Sequence, residues 1–214
     1  RLTEGRAAGS RVVEVTTADG LQVDILPDTG LDIGALRYKG VNISYMSKNG
    51  YDSGAAFLPY ETEFLNTFPG GMLYTCGLRS VGPANRDRGE WHPLHGRFHG
   101  ISASEVCAGI QDDTAVISGT VTESALFGHA LRLNRTIRIP VYTGRIEIED
   151  TLENLTPTAE EFMLLYHCNF GYPFLSEHTR LILPEERTTR PRDENAARGI
   201  GRECEFTRPV DCEP

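Results

Sequence analysis

The strongest candidate for chemistry in this 214-residue chain is a histidine beside an apolar run. His167 follows the segment Phe162–Leu165 and precedes Cys168 and Asn169. A histidine at the end of a buried strand is held stiffly, and burial displaces its pKa from about 6.5. Both properties suit a group that transfers protons. The alternative is a core histidine that is hydrogen-bonded to the backbone and has no chemical role.

Cys168 could instead act as a nucleophile with a histidine as its base. Neighbouring residues of a strand point to opposite faces of the sheet, so His167 could not readily activate the adjacent thiol. We therefore favour His167 as the reactive residue of this segment.

A second segment carries His92, His95 and His99. Three neutral imidazoles with this spacing could bind a metal ion, as histidines do in zinc sites. Pro93 and Gly96 make a helix improbable here, so the spacing does not place the rings on one face, and we predict no metal site. A second interpretation takes His95 alone, because a glycine after it lets a ligand approach the backbone. The alternative is that all three histidines are loop residues that are mostly solvated.

Arg79 follows a glycine-containing segment that runs from Gly70 to Leu78. The pair Gly70-Gly71 lacks the Gly-Lys-Ser/Thr and the following helix of a phosphate-binding loop. Such glycines are more typical of bends or close backbone approaches in strands. Arg79 could bind a hydroxyl-rich or anionic ligand, although an exposed arginine more often binds none.

Period-two alternation dominates the sequence and predicts the strands that must position these residues. Leu21, Val23 and Ile25 share one face, and the preceding Asp19-Gly20 predicts a hairpin with the strand before it. Further strands are predicted from Val12–Val15, from Val41, Ile43 and Tyr45, over Val116–Val121, over Leu131–Ile139 with Arg135 as the exception, from Ile146 and Ile148, and over Phe162–His167 as a strand buried on both faces. With at most one short helix, in Ala55–Asn66, and an irregular segment over Asn66–Gly100, the pattern predicts an antiparallel β-sandwich.

The composition limits the classes of function. The chain has 21 Lys and Arg against 30 Asp and Glu, a net charge of −9, and no basic run, so nucleic acid is a poor partner. Its longest apolar run is too short to span a membrane. Five widely spaced cysteines without a Cys-x-x-Cys predict reduced thiols in a cytoplasmic protein. The chain lacks a starting Met, and we expect it to be a piece of a longer protein.

Four segments together resemble the aldose 1-epimerase (galactose mutarotase) superfamily, and most of all its branch of "aldose 1-epimerase family" proteins. They are Gly30-Leu31-Asp32-Ile33-Gly34, Gly70-Gly71 with Thr75-Cys76-Gly77-Leu78, Leu94-His95-Gly96-Arg97, and Tyr166-His167-Cys168-Asn169-Phe170-Gly171-Tyr172-Pro173. The resemblance extends from about Gly5 to Pro209. It implies an all-β antiparallel β-supersandwich, a single domain over residues 1–214 that is incomplete at its C-terminus.

Enzymes of this superfamily interconvert the anomers of free sugars. A base removes the proton of the anomeric hydroxyl while an acid protonates the ring oxygen, and the opened ring closes on its other face. The resemblance therefore implies a carbohydrate-binding isomerase that requires no cofactor and no metal, with a small sugar as its ligand. It implies His167 as the general acid and places His95 at the ring oxygen. It gives no oligomeric state.

The remaining site residues are assigned less directly. Arg79, Arg97 and Asn169 are candidates for binding sugar hydroxyls, because they are polar and lie near the motifs. Pro83 takes the place of the substrate arginine in the mutarotase loop, so Arg79 or Arg97 would have to replace it. The family's general base is a glutamate near the C-terminus, and Glu213-Pro214 has a similar dipeptide. It follows His167 too closely for us to assign it that role.

Two other functions stay open. A non-catalytic carbohydrate-binding or regulatory module could have the same fold, because a fold does not determine a function. Such a module would lack a carboxylate across the pocket from His167. A sugar-phosphate mutarotase would need additional basic residues in the pocket, and the only nearby indications are Arg97 and His99.

Overall fold

Antiparallel strands make up most of the regular structure, as the alternation predicts. The computed structural model describes residues 1–54, 57–58, 60, 63–184, 186 and 188–206. Its elements, in chain order, are β1 (Val13–Thr16), β2 (Leu21–Leu26), β3 (Asp32–Tyr38), β4 (Val41–Asn42), α1 (Phe64–Thr67), β5 (Leu73–Leu78), β6 (Asn85–Asp87), β7 (Glu90–His92), a 3₁₀ turn (Phe98–Gly100), β8 (Ser104–Gln111), β9 (Thr114–Ser124), β10 (Ala130–Pro140), β11 (Glu147–Asn154), β12 (Met163–Cys168) and α2 (Glu194–Ala197). None of the helices in this part of the chain is long and apolar enough to cross a membrane.

The strands form two four-stranded sheets and two smaller ones. The first large sheet has the order β1-β2-β3-β4 and the second has the order β11-β10-β9-β8. Two-stranded sheets form from β5 with β12 and from β6 with β7. Burial alternates along β9 and β10, as expected for strands with one face on a core. That core joins both large sheets through residues that include Val23, Ile25, Ile117, Leu133 and Ile137.

Arg135, the exception in the apolar row of β10, is fully buried. Its Nη1 lies 2.7 Å from Asp32, while Nε and Nη2 donate to the two carboxylate oxygens of Asp150 at 2.9 and 2.8 Å. Burial alone would lower the pKa of Arg135, but the bonds to Asp150 and Asp32 outweigh that effect and raise the pKa above its usual value. A buried charge is tolerated here because it is paired on both sides.

Several predicted elements differ in extent from the observed ones. The alternation of Val41, Ile43 and Tyr45 predicted one strand, but β4 has only two residues, and Ser44 and Met46 form isolated bridges to Phe170 and Gly70 instead. The segment 66–100 was expected to be irregular and contains β5, β6 and β7. The short helix expected in 55–66 is α1; residues 55–56, 59 and 61–62 lie outside the described part.

β12 was expected to be buried on both faces, and this prediction is wrong for the chain as described. Met163 and Leu165 are 54% and 41% exposed. Among the described strands, β12 pairs only with β5, so its other edge and part of its surface face solvent. A strand that is apolar on both faces is thus left half-covered.

Candidate functional site

The pairing of β5 with β12 determines which way His167 points. His167 lies opposite Tyr74, and Leu165 lies opposite Cys76. Residues that pair across two strands share a face of the sheet, so these four side chains lie together. Cys168 belongs to the opposite face, where burial and the charge of Asp32 raise its pKa. The structure thus agrees with the argument that His167 does not activate Cys168, and the thiol is a poor nucleophile.

The loop that carries His95 is held tightly against β5. His95 has a left-handed backbone with φ of 63°, which is uncommon outside glycine. Its N–H donates to the carbonyl of Gly82 at 2.9 Å, and its carbonyl accepts from Gly77 at 3.2 Å. At the next position, Gly96 has φ of 79°, and a Cβ there would collide with the carbonyl oxygens of Ser80 and Gly77. The glycine after His95 therefore serves close backbone packing.

The side chain of His95 is fixed in one orientation. Its Nδ1 lies 3.0 Å from the carbonyl oxygen of Val81. A carbonyl can only accept, so Nδ1 carries a hydrogen, and in the neutral ring Nε2 is left as an acceptor. The rings of Phe64 and Tyr74 pack edge-on against the imidazole, with centroid distances of 5.0 and 6.4 Å. The hydrogen bond and the aromatic packing together present Nε2 in a fixed direction.

The rings of His95 and His167 lie beside each other, although they come from distant segments. Their centroids are 5.6 Å apart, and their planes are inclined at 66°. Nδ1 of His167 is buried and has no hydrogen-bond partner among the described residues. A buried nitrogen without a partner costs about 1–3 kcal/mol, so the arrangement suits a ligand that supplies one. This pair is the centre of the candidate site.

Arg79 and Arg97 contact a neighbouring set of carboxylates rather than the two histidines. Arg79 contacts Glu90 and Glu160, each at 3.3 Å, and donates to the carbonyl of Glu161 at 3.0 Å. Arg97 lies 3.9 Å from the carboxylate of Glu90. Burial alone would raise the pKa of Glu90, but its hydrogen bond with Arg79 outweighs this and holds the pKa below its usual value. Glu90 is thus the shared anion of the two arginines.

Asn169 stands directly after β12 and contacts backbone. Its Nδ2 donates to the carbonyl of Gly71 at 3.0 Å and to that of His167 at 3.3 Å. These bonds join the end of β12 to the glycine pair before β5. The contacts of Asn169 therefore brace the strand end that carries His167.

A cleft of about 510 Å³ opens next to the loop of His95. It was not predicted from the sequence, although Pro83 of the mutarotase-like loop lies in the chain between the lining residues Gly82 and Asn85. His92 is 6% exposed, and its Nδ1 has no hydrogen-bond partner in the described part of the chain. The lining residues include Arg79, Ser80, Val81, Gly82, Asn85, Arg86, Asp87, His92, Glu161, Phe162 and Met163.

The three histidines of the second segment do not converge. His92 lines the cleft and His95 packs against His167, whereas His99 is buried with Nδ1 2.9 Å from Asp32. His99 also stacks on Tyr74 at a centroid distance of 3.8 Å. The described residues contain no group of three or more His, Cys, Asp or Glu that could hold a metal ion. His99 supports Tyr74, which in turn packs against His95.

Solved structures with a similar fold come from three bacteria. A proposed aldose 1-epimerase from Klebsiella pneumoniae has a TM-score of 0.70 and 26% identity, over 84% of this chain and 48% of that chain. A galactose mutarotase-like protein from Clostridium acetobutylicum has a TM-score of 0.57 and 16% identity, over 80% and 55%. A protein from Synechocystis has a TM-score of 0.57 and 15% identity, over 79% and 57%.

These likenesses confirm the expected resemblance to the aldose 1-epimerase superfamily and the galactose mutarotase-like fold. The chain spans about half the length of the solved structures that it matches. No curated protein matches it. One family model, described as a domain of unknown function, matches residues 7–213, which is nearly the whole chain. The chain is therefore a member of the DUF4432 family, within the fold of the galactose mutarotases.

Proposed function

We propose that the protein is an aldose 1-epimerase that interconverts the anomers of a small sugar. The observation that carries this proposal is the side-by-side placement of His95 and His167, with one buried nitrogen of His167 left for a ligand. The similar structure from Klebsiella pneumoniae, itself a proposed aldose 1-epimerase, supports it. Anomer exchange needs only positioned proton donors and acceptors, and two adjacent imidazoles supply such groups.

The two histidines take different roles in the proposed reaction. His167, in its protonated form, donates to the ring oxygen of the sugar as the ring opens. Val81 holds the hydrogen of His95 on Nδ1, so Nε2 of the neutral ring accepts a hydrogen bond from a hydroxyl next to the ring oxygen. The opened aldehyde rotates about its C1–C2 bond and closes on the other face, returning the proton to His167. We assign the base that takes the anomeric proton to no described residue.

The remaining groups of the proposal are supported by their positions. Arg79 lines the cleft beside the His95 loop, and Arg97 shares Glu90 with it, so both are proposed to bind sugar hydroxyls. We also propose Asn169 as a hydroxyl-binding residue, although its amide hydrogens serve the backbone and leave its oxygen for that contact. We propose a cytoplasmic location, which is supported by the free thiols of Cys76, Cys107, Cys168 and Cys204 in the described chain.

The direct test is anomer exchange, measured by NMR across a panel of aldoses with the protein and its variants. His167→Ala should abolish catalysed exchange, and His95→Ala should reduce it by about 10²-fold or more, the scale of lost general acid–base catalysis. His178→Ala is the matched control, because this histidine is exposed. Exchange that survives His167→Ala, or that is absent from the wild-type protein with every aldose, rejects the proposal.

A second candidate function is sugar binding without turnover, because the base that would take the anomeric proton is assigned to no described residue. Anomer exchange requires a base as well as an acid, and a binding module does not. A protein that shifts the NMR signals of an aldose without accelerating exchange between its anomers would establish this second function.

A further inference from the structure

Two residues that line the cleft beside His95 each have a buried polar atom without a partner among the described residues. These atoms are Nδ1 of His92 and Nε of Arg79. His92 lines the cleft and is more than nine-tenths buried, so open solvent does not supply the missing hydrogen bond to its Nδ1. Buried polar groups normally have a hydrogen-bond partner, and two exceptions in one cleft indicate a ligand that supplies polar atoms at both places.

The charges around the cleft favour a neutral ligand over an anion. Arg79 is already paired with Glu90 and Glu160, and Arg88 lies 3.4 Å from Glu161. Asp87 adds a further carboxylate to the lining, so acidic side chains match or outnumber the arginines. A phosphate or sulfate group would meet these carboxylates at close range, whereas an uncharged hydroxyl would not.

The chemistry of the lining matches a hydroxyl-rich ring. Arg86 and the buried Nε of Arg79 are able to donate hydrogen bonds to a ligand, and Asp87 and Glu161 are able to accept them. A sugar hydroxyl does both, so it can satisfy either kind of group. Phe162, which is more than half exposed, adds an apolar surface of the kind that packs on the less polar face of a sugar ring.

The cleft lies next to the histidine pair. Val81 and Gly82 line it, and their carbonyls are the acceptors of the side chain and the backbone of His95. On the other side, Met163 lines it and shares a face of β12 with His167. Met163 and His167 are four positions apart along the strand, a span of about 13 Å. A ligand that reaches from the histidines into the cleft is therefore longer than a single sugar ring.

We infer that this cleft binds the second, neutral ring of a reducing disaccharide whose first ring lies at His95 and His167. The position of the first ring rests on the proposed function, whereas the second ring is inferred from the cleft itself. A phosphorylated monosaccharide is the wrong ligand for this cleft, because its charge is unmatched there.

The test measures dissociation constants by ligand-observed NMR for glucose, galactose, maltose, lactose and glucose 6-phosphate. A disaccharide should bind about tenfold or more tightly than its own reducing monosaccharide, and glucose 6-phosphate should bind no more tightly than glucose. Arg86→Ala should remove the disaccharide preference, and His92→Gln should weaken it. Arg145→Ala, at an exposed arginine outside the cleft, should leave it unchanged.

The inference is overturned if no disaccharide gains affinity, if the gain survives Arg86→Ala, if glucose 6-phosphate binds more tightly than maltose, or if none of the five probes binds. Arg86 is exposed, so its replacement tests the cleft even if His92→Gln does not fold. Disaccharide preference without anomer exchange would reject the epimerase proposal alone. Exchange without that preference would reject the second-ring site alone.

Discussion

The carbonyl oxygen of Val81 lies 3.0 Å from Nδ1 of His95 and accepts its hydrogen. This geometry depends on the close packing of the residue after the histidine. Gly96 approaches the carbonyl oxygens of Gly77 and Ser80 so closely that no side chain fits. The orientation of a candidate catalytic ring is thus controlled by a neighbouring glycine.

Gly96→Ala should both destabilise the protein and impair the site. A left-handed alanine costs about 1–2 kcal/mol, and collision with two backbone oxygens should bring the loss in free energy of unfolding to about 3 kcal/mol or more. The displaced His95 should lower the rate of anomer exchange about 10²-fold. Gly89→Ala is the matched control, because Gly89 has φ of 87° but open space around it. Equal losses in urea unfolding for the two variants would contradict the packing argument.

Arg135→Met should be strongly destabilising. The replacement leaves the carboxylates of Asp32 and Asp150 buried without their shared cation, which typically costs about 3–5 kcal/mol. Arg138→Met, three residues along the same strand, replaces a half-exposed arginine that lies 3.7 Å from Glu149. It should change the free energy of unfolding by less than about 1 kcal/mol. Similar urea midpoints for both variants would disprove the importance of the buried pairs.

The ion pair of Asp28 with Arg11 should make stability depend on pH. Burial alone would raise the pKa of Asp28, but hydrogen bonds from the side chain and backbone of Arg11 outweigh it and hold the pKa below its usual value. Because the folded pKa lies below the unfolded one of about 3.9, this contribution is present above that pH and is lost as the pH falls through the folded value. Asp28→Asn should therefore cost about 1 kcal/mol at pH 7 and less below pH 4.

Urea unfolding of the wild-type protein and Asp28→Asn at several pH values measures this difference. Asp112→Asn, at an exposed hairpin position, is the control and should stay within about 0.5 kcal/mol of the wild-type protein. A cost of Asp28→Asn that is the same at pH 3 and pH 7 would contradict the assignment.

The cysteines should differ in reactivity according to their surroundings. Burial, followed by the negative charge of Asp32, raises the pKa of Cys76 to about 12, and its side chain is inaccessible. Cys107 is exposed. A disulfide reagent at pH 8 should therefore label Cys107 in the folded protein and leave Cys76 unlabelled until the protein unfolds. Peptide mapping by mass spectrometry distinguishes the sites, Cys107→Ser is the control, and fast labelling of Cys76 would refute the expectation.

The strands β2, β9 and β10 were predictable from the sequence, because each of them keeps one face on a core. The same alternation gave the opposite faces of His167 and Cys168, and the motifs pointed to His95. β12 shows the limit of this approach. Its apolar residues predicted burial on both faces, but exposure depends on which strands lie beside it, and a local pattern carries no information about those neighbours.

The partners of charged residues could not be read from periodicity. Arg135 looked like an interruption of an apolar row, because its partner Asp32 lies on a strand of the other large sheet. His99 looked like a member of a histidine cluster, and only the fold shows that its ring is bound to the same carboxylate. His92 was considered only as part of the same histidine segment, since its unpartnered nitrogen depends on the surrounding loops.

The carboxylate of Asp32 joins three layers of the molecule. Asp32 lies on β3, and it accepts hydrogen bonds from Thr75 on β5 and from Arg135 on β10. No one of these sheets can separate from the others without exposing an uncompensated charge. Heat or denaturant should therefore melt the sandwich in a single cooperative transition, with the scaffold of His167 lost at the same midpoint as the large sheets.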